Sequence, residues 1–321
     1  MKTTTVEKKI TCPQIRFRSW MGGMFVFVAI FIFLSIKAPG FFTTINLVRN
    51  LLMPAGIVAV IACGMTVVMA GGGIDLSVGA TAGLSALVAA VTAARLDLEI
   101  LPMLVLAIMV GCFIGSINGL FVAYLGVSPF VVTLSSVFLI RGLEFLISLT
   151  NVRGTYLMLP MELTDAGSSP YFQLGLFLVV VFSVFIFLDR SCFGRYIRSV
   201  GENLEVSHFS GIRYRFYTWL TYAVCGILTA IGGFMLTSYE GVVRVGSGES
   251  YLIDSFVLPI LGQAVFRRIS VEGTVFGALL IYMVLNGLFI FGTPPVFVNL
   301  IKGSLLLLVI ILSGIQKLRE T

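Results

Sequence analysis

An all-α, polytopic membrane bundle of about ten transmembrane helices, with both termini cytoplasmic, is the fold class this sequence predicts. Three observations predict it. Of the 321 residues, 58% are hydrophobic and only 11% are charged, where a soluble domain carries roughly 25%. The mean hydropathy is +1.05, so the chain has too few charges to cover a globular surface and its solvent must be largely lipid. The apolar residues also gather in ten runs, each near the roughly 20 residues that cross a hydrocarbon core. They read as one transmembrane domain over 1–321, without a soluble domain or low-complexity segment.

The first run, 21–36, follows the basic segment 1–20. No small-residue cleavage pattern precedes "KAPGFF", so a retained span is expected rather than a signal peptide. The other runs are 51–70, 76–94, 100–124, 129–149, 171–188, 216–238, 251–266, 273–291 and 295–314. An even number puts both ends on one side. The inner segments are then 1–20, 71–75, 125–128, 189–215, 267–272 and the carboxy-terminal tail.

Basic residues test that assignment. Lys2, Lys8, Lys9, Arg16, Arg18, Arg190, Arg195, Arg198, Arg213, Arg215, Arg267, Arg268, Lys317 and Arg319 fall inside, which is 14 of the 21. Lys37, Arg49, Arg95, Arg153 and Arg244 fall outside, and Arg141 and Lys302 lie within spans. The asymmetry follows the positive-inside rule. It also accounts for the net charge of +6 without a nucleic-acid partner.

Catalytic chemistry is not legible. The lone His208 has no second imidazole with which to share a metal, and neither a nucleophile elbow nor a Walker-type loop occurs. Cys12, Cys63, Cys112, Cys192 and Cys225 lack metal-ligand spacing, and three of them lie in apolar runs, where free thiols are expected. The chain therefore reads as neither an enzyme nor a holder of its own cofactor.

Two inner segments carry more information. In "MAGGGIDLSVGA" (69–80), residues 51–70 already supply about 30 Å of helix, enough to cross. Gly72 and Gly73 then fall at the inner interface, and Asp75 opens the helix 76–94 beside Ser77. Its carboxylate can accept first-turn N–H groups, a cap and gate anchor in preference to a solute ligand. In "GENLEVSHFSG" a short helix is expected, with Gly201 as the break, Asn203 as the cap and Gly211 as the end. Leu204, Val206 and Phe209 give it an apolar side, opposite Glu202, Glu205 and His208. Such a helix either lies at the headgroups or docks into a cytoplasmic partner.

Polar residues inside the spans are the remaining candidates. Arg141 and Glu144 stand three apart and can pair, which an isolated charge in lipid requires. Asn118 and Asn286 each precede a glycine, where buried amides tie helices together or meet solute hydroxyls. Pro129 suits a helix start, and Phe130 and Thr133 are expected to share one side near the inner mouth.

Together "GGGIDLSVGA", "FGRYIRSVGENLEVSHFSGI" and "NGLFIFG…VNLIKGSLLLL" resemble the ribose/xylose/galactose-type permeases of ABC sugar importers, from about residue 40 to 315. The resemblance implies a bacterial inner-membrane subunit that pairs with a second permease chain, identical or closely related. It implies a cytoplasmic ABC ATPase that holds ATP and magnesium, and an external binding protein that delivers a monosaccharide or similar small polar solute. On that likeness the loop 189–215 contains a coupling helix at 200–212, with Arg198, Gly201, Glu202, Asn203, Ser210 and Gly211 as its coupling residues. Arg195 and Arg198 would meet acidic ATPase residues or serve as positive-inside charge. Gly72, Gly73, Asp75 and Ser77 would form the gate, with Asn118, Phe130, Thr133, Arg141, Glu144 and Asn286 as pathway candidates.

One stretch departs from the family pattern. Permeases of this kind carry two glycine pairs after Leu-Asp-Ala-Ile-Ala, whereas "IDSFVLPILGQAVFRRISVEGTVFGA" keeps Asp254 and Gly262 but places Gln263 and Arg267-Arg268 over 259–272. An ion-coupled secondary transporter is the alternative class, and a membrane scaffold without transport is a third. The former favours inverted repeats and midplane ionisable residues, and no clear repeat is seen.

Overall fold

The computed structural model describes residues 14–38, 40–151 and 157–294, with 296, 297, 300, 302–304 and 307 beyond them. Expectations for segment 1–13, Arg153, Lys317, Arg319 and most of the tenth run lie outside the described residues. Helix α1 is Gln14–Lys37; a π-helical turn Asn46–Leu52 then leads without a break into α2, Met53–Ala70. Next come α3 (Val78–Leu96), α4 (Ile100–Ala123), α5 (Pro129–Asn151), the short α6 (Met161–Gly167) and α7 (Pro170–Phe185). A second π-helical turn, Ile186–Arg190, precedes α8 (Cys192–Glu202) and α9 (Leu204–Phe209). The chain closes with α10 (Tyr214–Glu240), α11 (Ser250–Phe266) and α12 (Val271–Ile290). The strands β1 (Leu157–Met158) and β2 (Val242–Val243) pair antiparallel, Leu157 with Val243 and Met158 with Val242.

Among the described residues, seven helices are long and apolar enough to cross a membrane, and α11 and the described apolar part of α1 are shorter. The expected runs from 21–36 to 273–291 are all helical, with ends displaced by a few residues. The run expected from 51 instead begins at Asn46, because the π turn continues into α2. The end of the bundle that carries 70–77, 124–128, 190–215 and 267–270 is called the arginine-rich end below.

Helices α2 and α10 form the enclosed centre. Ile57, Ile61 and Met65 of α2 pack with Tyr222, Phe234 and Met235 of α10, all fully buried. By contrast α4, α5 and α7 turn large apolar side chains outward, among them Phe113, Phe138, Leu149 and Phe182, as lipid-facing helices do. Small residues bring α4 against α10. Gly111, Gly115 and Gly119 recur every fourth residue, one helical face, and all three press onto the α10 backbone. A methyl at Gly111 would overlap the Gly226 carbonyl oxygen, and one at Gly115 would overlap that of Tyr222. Such stripes let helix backbones approach closely in lipid.

The same device joins α11 to α12, where Gly262 lies directly on the Gly273 backbone. The departing turn that follows is capped by Arg267 at φ +61°, a left-handed conformation normally given to glycine. Ser270 then caps α12 by accepting the Gly273 N–H at 3.2 Å.

Candidate functional site

The glycine run terminates α2. Gly72 takes φ +78°, which a side chain would strain, and the Gly73 N–H returns to the Val68 carbonyl at 3.0 Å. The chain then turns back into the bundle. Asp75 is buried, and one of its oxygens accepts both the Ser77 N–H at 2.8 Å and the Ser77 hydroxyl at 2.6 Å. That two-residue turn delays the helix start to Val78 rather than 76, so Asp75 stabilises the turn before the helix instead of its first turn. Burial pushes the Asp75 carboxyl up, while the two Ser77 hydrogen bonds and Cys225 pull it down.

Polar contacts continue from that turn. Asn118 donates to the Ser77 hydroxyl at 3.0 Å, and the Ser136 hydroxyl donates to Asn118 Oδ1. Asp75, Ser77, Asn118 and Ser136 thus form one hydrogen-bonded chain from the turn through α4 to α5. Asn118, read from sequence as a possible pathway residue, has both ends of its amide engaged here.

The loop 189–215 is two helices and not one. Ser191 caps α8 by accepting the Gly194 N–H, and α8 runs straight through Gly201 to Glu202. The break falls at Asn203, extended at φ −157°, whose Oδ1 accepts the Val206 N–H at 3.0 Å and caps α9. Ser199 and Ser207 hydroxyls meet at 3.1 Å and hold the two helices together. Ser210 donates to the Val206 carbonyl, and Gly211 closes α9 at φ +77°. Glu202, Glu205 and His208 are exposed as expected, but so are Leu204, Val206 and Phe209, with Phe209 at 88%.

Gly201 is glycine because of what lies beneath it. A methyl there would overlap the Ala70 carbonyl oxygen, and one on Gly72 would sit 3.1 Å from Gly201 Cα. From the other side the Tyr222 hydroxyl donates to the Ile74 carbonyl at 3.1 Å. A cavity of about 500 Å³ opens beside this contact, lined by the glycine turn, the α4–α5 connection, Val200, Leu204 and Tyr214.

Arg198, read from sequence as an ATPase-coupling residue or as positive-inside charge, braces the chain internally. It donates to Asp189 and to the Ile269 carbonyl, each at 2.7 Å. Arg268, from the departing turn, meets Asp189 and Glu272 at 3.4 Å. The α11–α12 turn is thereby tied to α8. Arg195 turns to the Cys192 sulfur.

Farther from the arginine-rich end, Arg141 stands twelve residues into α5, about 18 Å along it. It pairs with the fully buried Glu144, as expected, and also with Glu249 at 2.8 Å. Glu144 accepts the Gly246 N–H at 3.3 Å and lies against Gly83. Three parts of the chain meet at this point: α3, α5 and the α10–α11 connection, which supplies Gly246 and Glu249. Asn286 exchanges two amide hydrogen bonds with Asn46 at 2.9 and 3.0 Å and ties α12 to the π turn. Lys302, partly buried, pairs with the buried Asp254 at 2.7 Å.

Phe130 and Thr133 do not share a side. Phe130 is 56% exposed, whereas Thr133 is buried and its hydroxyl donates to the Pro129 carbonyl one turn back. Among the described cysteines, Cys63 and Cys225 are buried free thiols, as expected, and Cys192 is exposed. Among the described residues no group of histidine, cysteine or acidic side chains is placed to hold a metal.

Sequence reading missed Tyr222, Gly226, Glu249, Gly246 and Asn46. The spacing of Gly111, Gly115 and Gly119 on α4 is a sequence signal that points to the contact with Gly226 and Tyr222, and the sequence reading did not use it.

Residues 47–310 match the family model described as branched-chain amino acid transport system / permease component. The chain is 30% identical over 263 residues to the autoinducer 2 import system permease protein LsrD of Yersinia pestis (strain Pestoides F), covering 79% of each chain. The same figures hold for LsrD of Yersinia pseudotuberculosis serotype O:3 (strain YPIII). No solved structure matches the chain.

Proposed function

The chain belongs to the permease-component family of branched-chain amino acid transport systems, and on that footing we propose that it is the membrane subunit of an ATP-driven importer. It carries a monosaccharide or similarly small polar solute, and the named cargo of the LsrD relatives, autoinducer 2, falls in that class. Its arginine-rich end faces the cytoplasm of a bacterial cell, across the inner membrane. A second permease chain completes the pathway and an external binding protein delivers the solute. ATP and magnesium sit on the partner ATPase, which docks on α9.

The observation that carries this reading is the exposed apolar side of α9, held rigidly by the Asn203 cap while α8 rests on the glycine turn. The ion-coupled alternative draws on the intramembrane pairs Arg141–Glu144 and Lys302–Asp254. Each of those charges already has its partner within the chain.

Uptake by proteoliposomes separates the two. The assay contains this chain, its ATPase and its external binding protein, with ribose, xylose, galactose and autoinducer 2 as the solutes tried. Uptake should continue when ionophores collapse all ion gradients and stop when ATP is omitted. The reverse pattern would identify a secondary carrier.

A further inference from the structure

We infer that the contact of Gly201 with Gly72, pinned by Tyr222, is where movement of the coupling segment enters the membrane core. From there the hydrogen-bonded chain Asp75–Ser77–Asn118–Ser136 carries it to α5. The inference rests on the permease reading and adds a route within this chain and the residues that make it.

Four observations support the route. The contact is backbone on backbone: a methyl on Gly201 would strike the Ala70 carbonyl oxygen, so α8 cannot shift toward the turn without moving it. Side chains can yield by changing rotamer, whereas two apposed backbones cannot, and packed contacts of this kind transmit displacement. The turn is also held from its far side, since Tyr222 donates to the Ile74 carbonyl and a methyl on Gly73 would lie 2.7 Å from the Tyr222 hydroxyl. A push from α8 therefore acts on a turn clamped between α8 and α10.

The turn's outlet is polar and continuous. Ser77 donates to Asp75 and accepts from Asn118, and Asn118 accepts from Ser136. These groups are buried or partly buried, and each would lose its partner if the next moved away, which is costly for a polar group held out of water. Helix α5, where the chain ends, is packed less tightly than α2 or α10 and exposes Phe138, Leu139 and Leu149. Its near half is tied to α4 by Ser136 and packs Val132, Thr133 and Ile140 inward, Ile140 against Ala80 and Leu84 of α3.

The test uses the chain assembled with its ATPase in liposomes, on a background lacking the native cysteines, with magnesium-ATP as the probe. Two reporter thiols are placed separately, by Ile74→Cys in the turn and by Phe130→Cys at the start of α5. Both positions are exposed. In the parent chain, magnesium-ATP should change the maleimide labelling rate at each by about fivefold or more. Tyr222→Phe, which adds no atom, should reduce the response at both positions to less than about twofold while ATP hydrolysis continues. Gly201→Ala should do the same where it folds. Ser136→Ala should leave the response at 74 intact and abolish it at 130.

A merely structural role for these residues would lower both responses together with ATP hydrolysis. That result overturns the inference, as does a response at 130 that survives both Tyr222→Phe and Ser136→Ala. A parent chain that binds and activates its ATPase yet shows no response at either reporter overturns it too. A parent chain that recruits no ATPase overturns the permease reading itself.

Discussion

Arg141→Leu is expected to destabilise the protein by about 3–5 kcal/mol, read as a fall in the denaturation midpoint of the purified chain in detergent. The arginine is the only cation within ion-pair distance of Glu144 among the described residues, and the Glu144 side chain has no exposure. Removing Arg141 leaves a carboxylate buried between α3, α5 and the α10–α11 connection, with the Gly246 N–H as its remaining donor. An unpaired charge in that position is far more costly than the pair it came from. The double variant Arg141→Leu with Glu144→Gln should therefore recover most of the loss, because it removes both charges at once. Glu249→Ala should cost under about 1 kcal/mol, since Glu249 is 69% exposed and its pairing is screened by water. Equal losses in the single and double variants would show that shape at this junction matters and charge does not.

Gly115→Leu is expected to abolish the folded bundle, and Gly115→Ala to cost about 1–3 kcal/mol. A single methyl at Gly115 already overlaps the Tyr222 carbonyl oxygen, and its neighbours Gly111 and Gly119 are pressed to α10 in the same way. The backbone cannot yield locally, so α4 must move outward along its length and loosen the contact on which the bundle centre depends. Gly142→Ala on α5 is the control. It has nothing within 4 Å of the added carbon and should leave stability unchanged or raise it by up to about 1 kcal/mol. Thermal melting of the three variants in one detergent checks the order, and a Gly115→Ala midpoint equal to that of Gly142→Ala would contradict the packing argument.

What the sequence made legible follows from which forces act locally. Spans are set by hydropathy over about 20 residues, a property of the string itself, and the runs from 21–36 to 273–291 are helical where expected, seven of the described helices being long and apolar enough to cross. The Arg141–Glu144 pair was legible for the same reason, being three residues apart on one helix. Gly201 was read as a helix breaker because glycine is a poor helix former, but its reason is tertiary: it must fit against Gly72, more than 120 residues earlier. Asn203 was identified as a cap because capping is local. Tyr222 escaped notice because an aromatic residue in an apolar run looks like packing, and only the folded chain brings its hydroxyl to Ile74. The internal partners of Arg198 were not legible, because Asp189 and the Ile269 carbonyl meet it only when α8 folds against the α11–α12 turn. The departure at 259–272 has a partial account: Arg268 joins the ion pairs on Asp189, and nothing explains Gln263.

The central claim is that α9 is the seat of a cytoplasmic ATPase, and co-purification tests it most directly. The affinity-tagged chain is expressed with its proposed partner ABC ATPase, extracted in mild detergent, and assayed for bound ATPase and for melting temperature. The parent chain should retain the ATPase, and Val206→Asp with Phe209→Asp should release it without lowering the melting temperature, since both side chains already face solvent. An ATPase that stays bound to the doubly substituted chain, or that never binds the parent, would contradict the account.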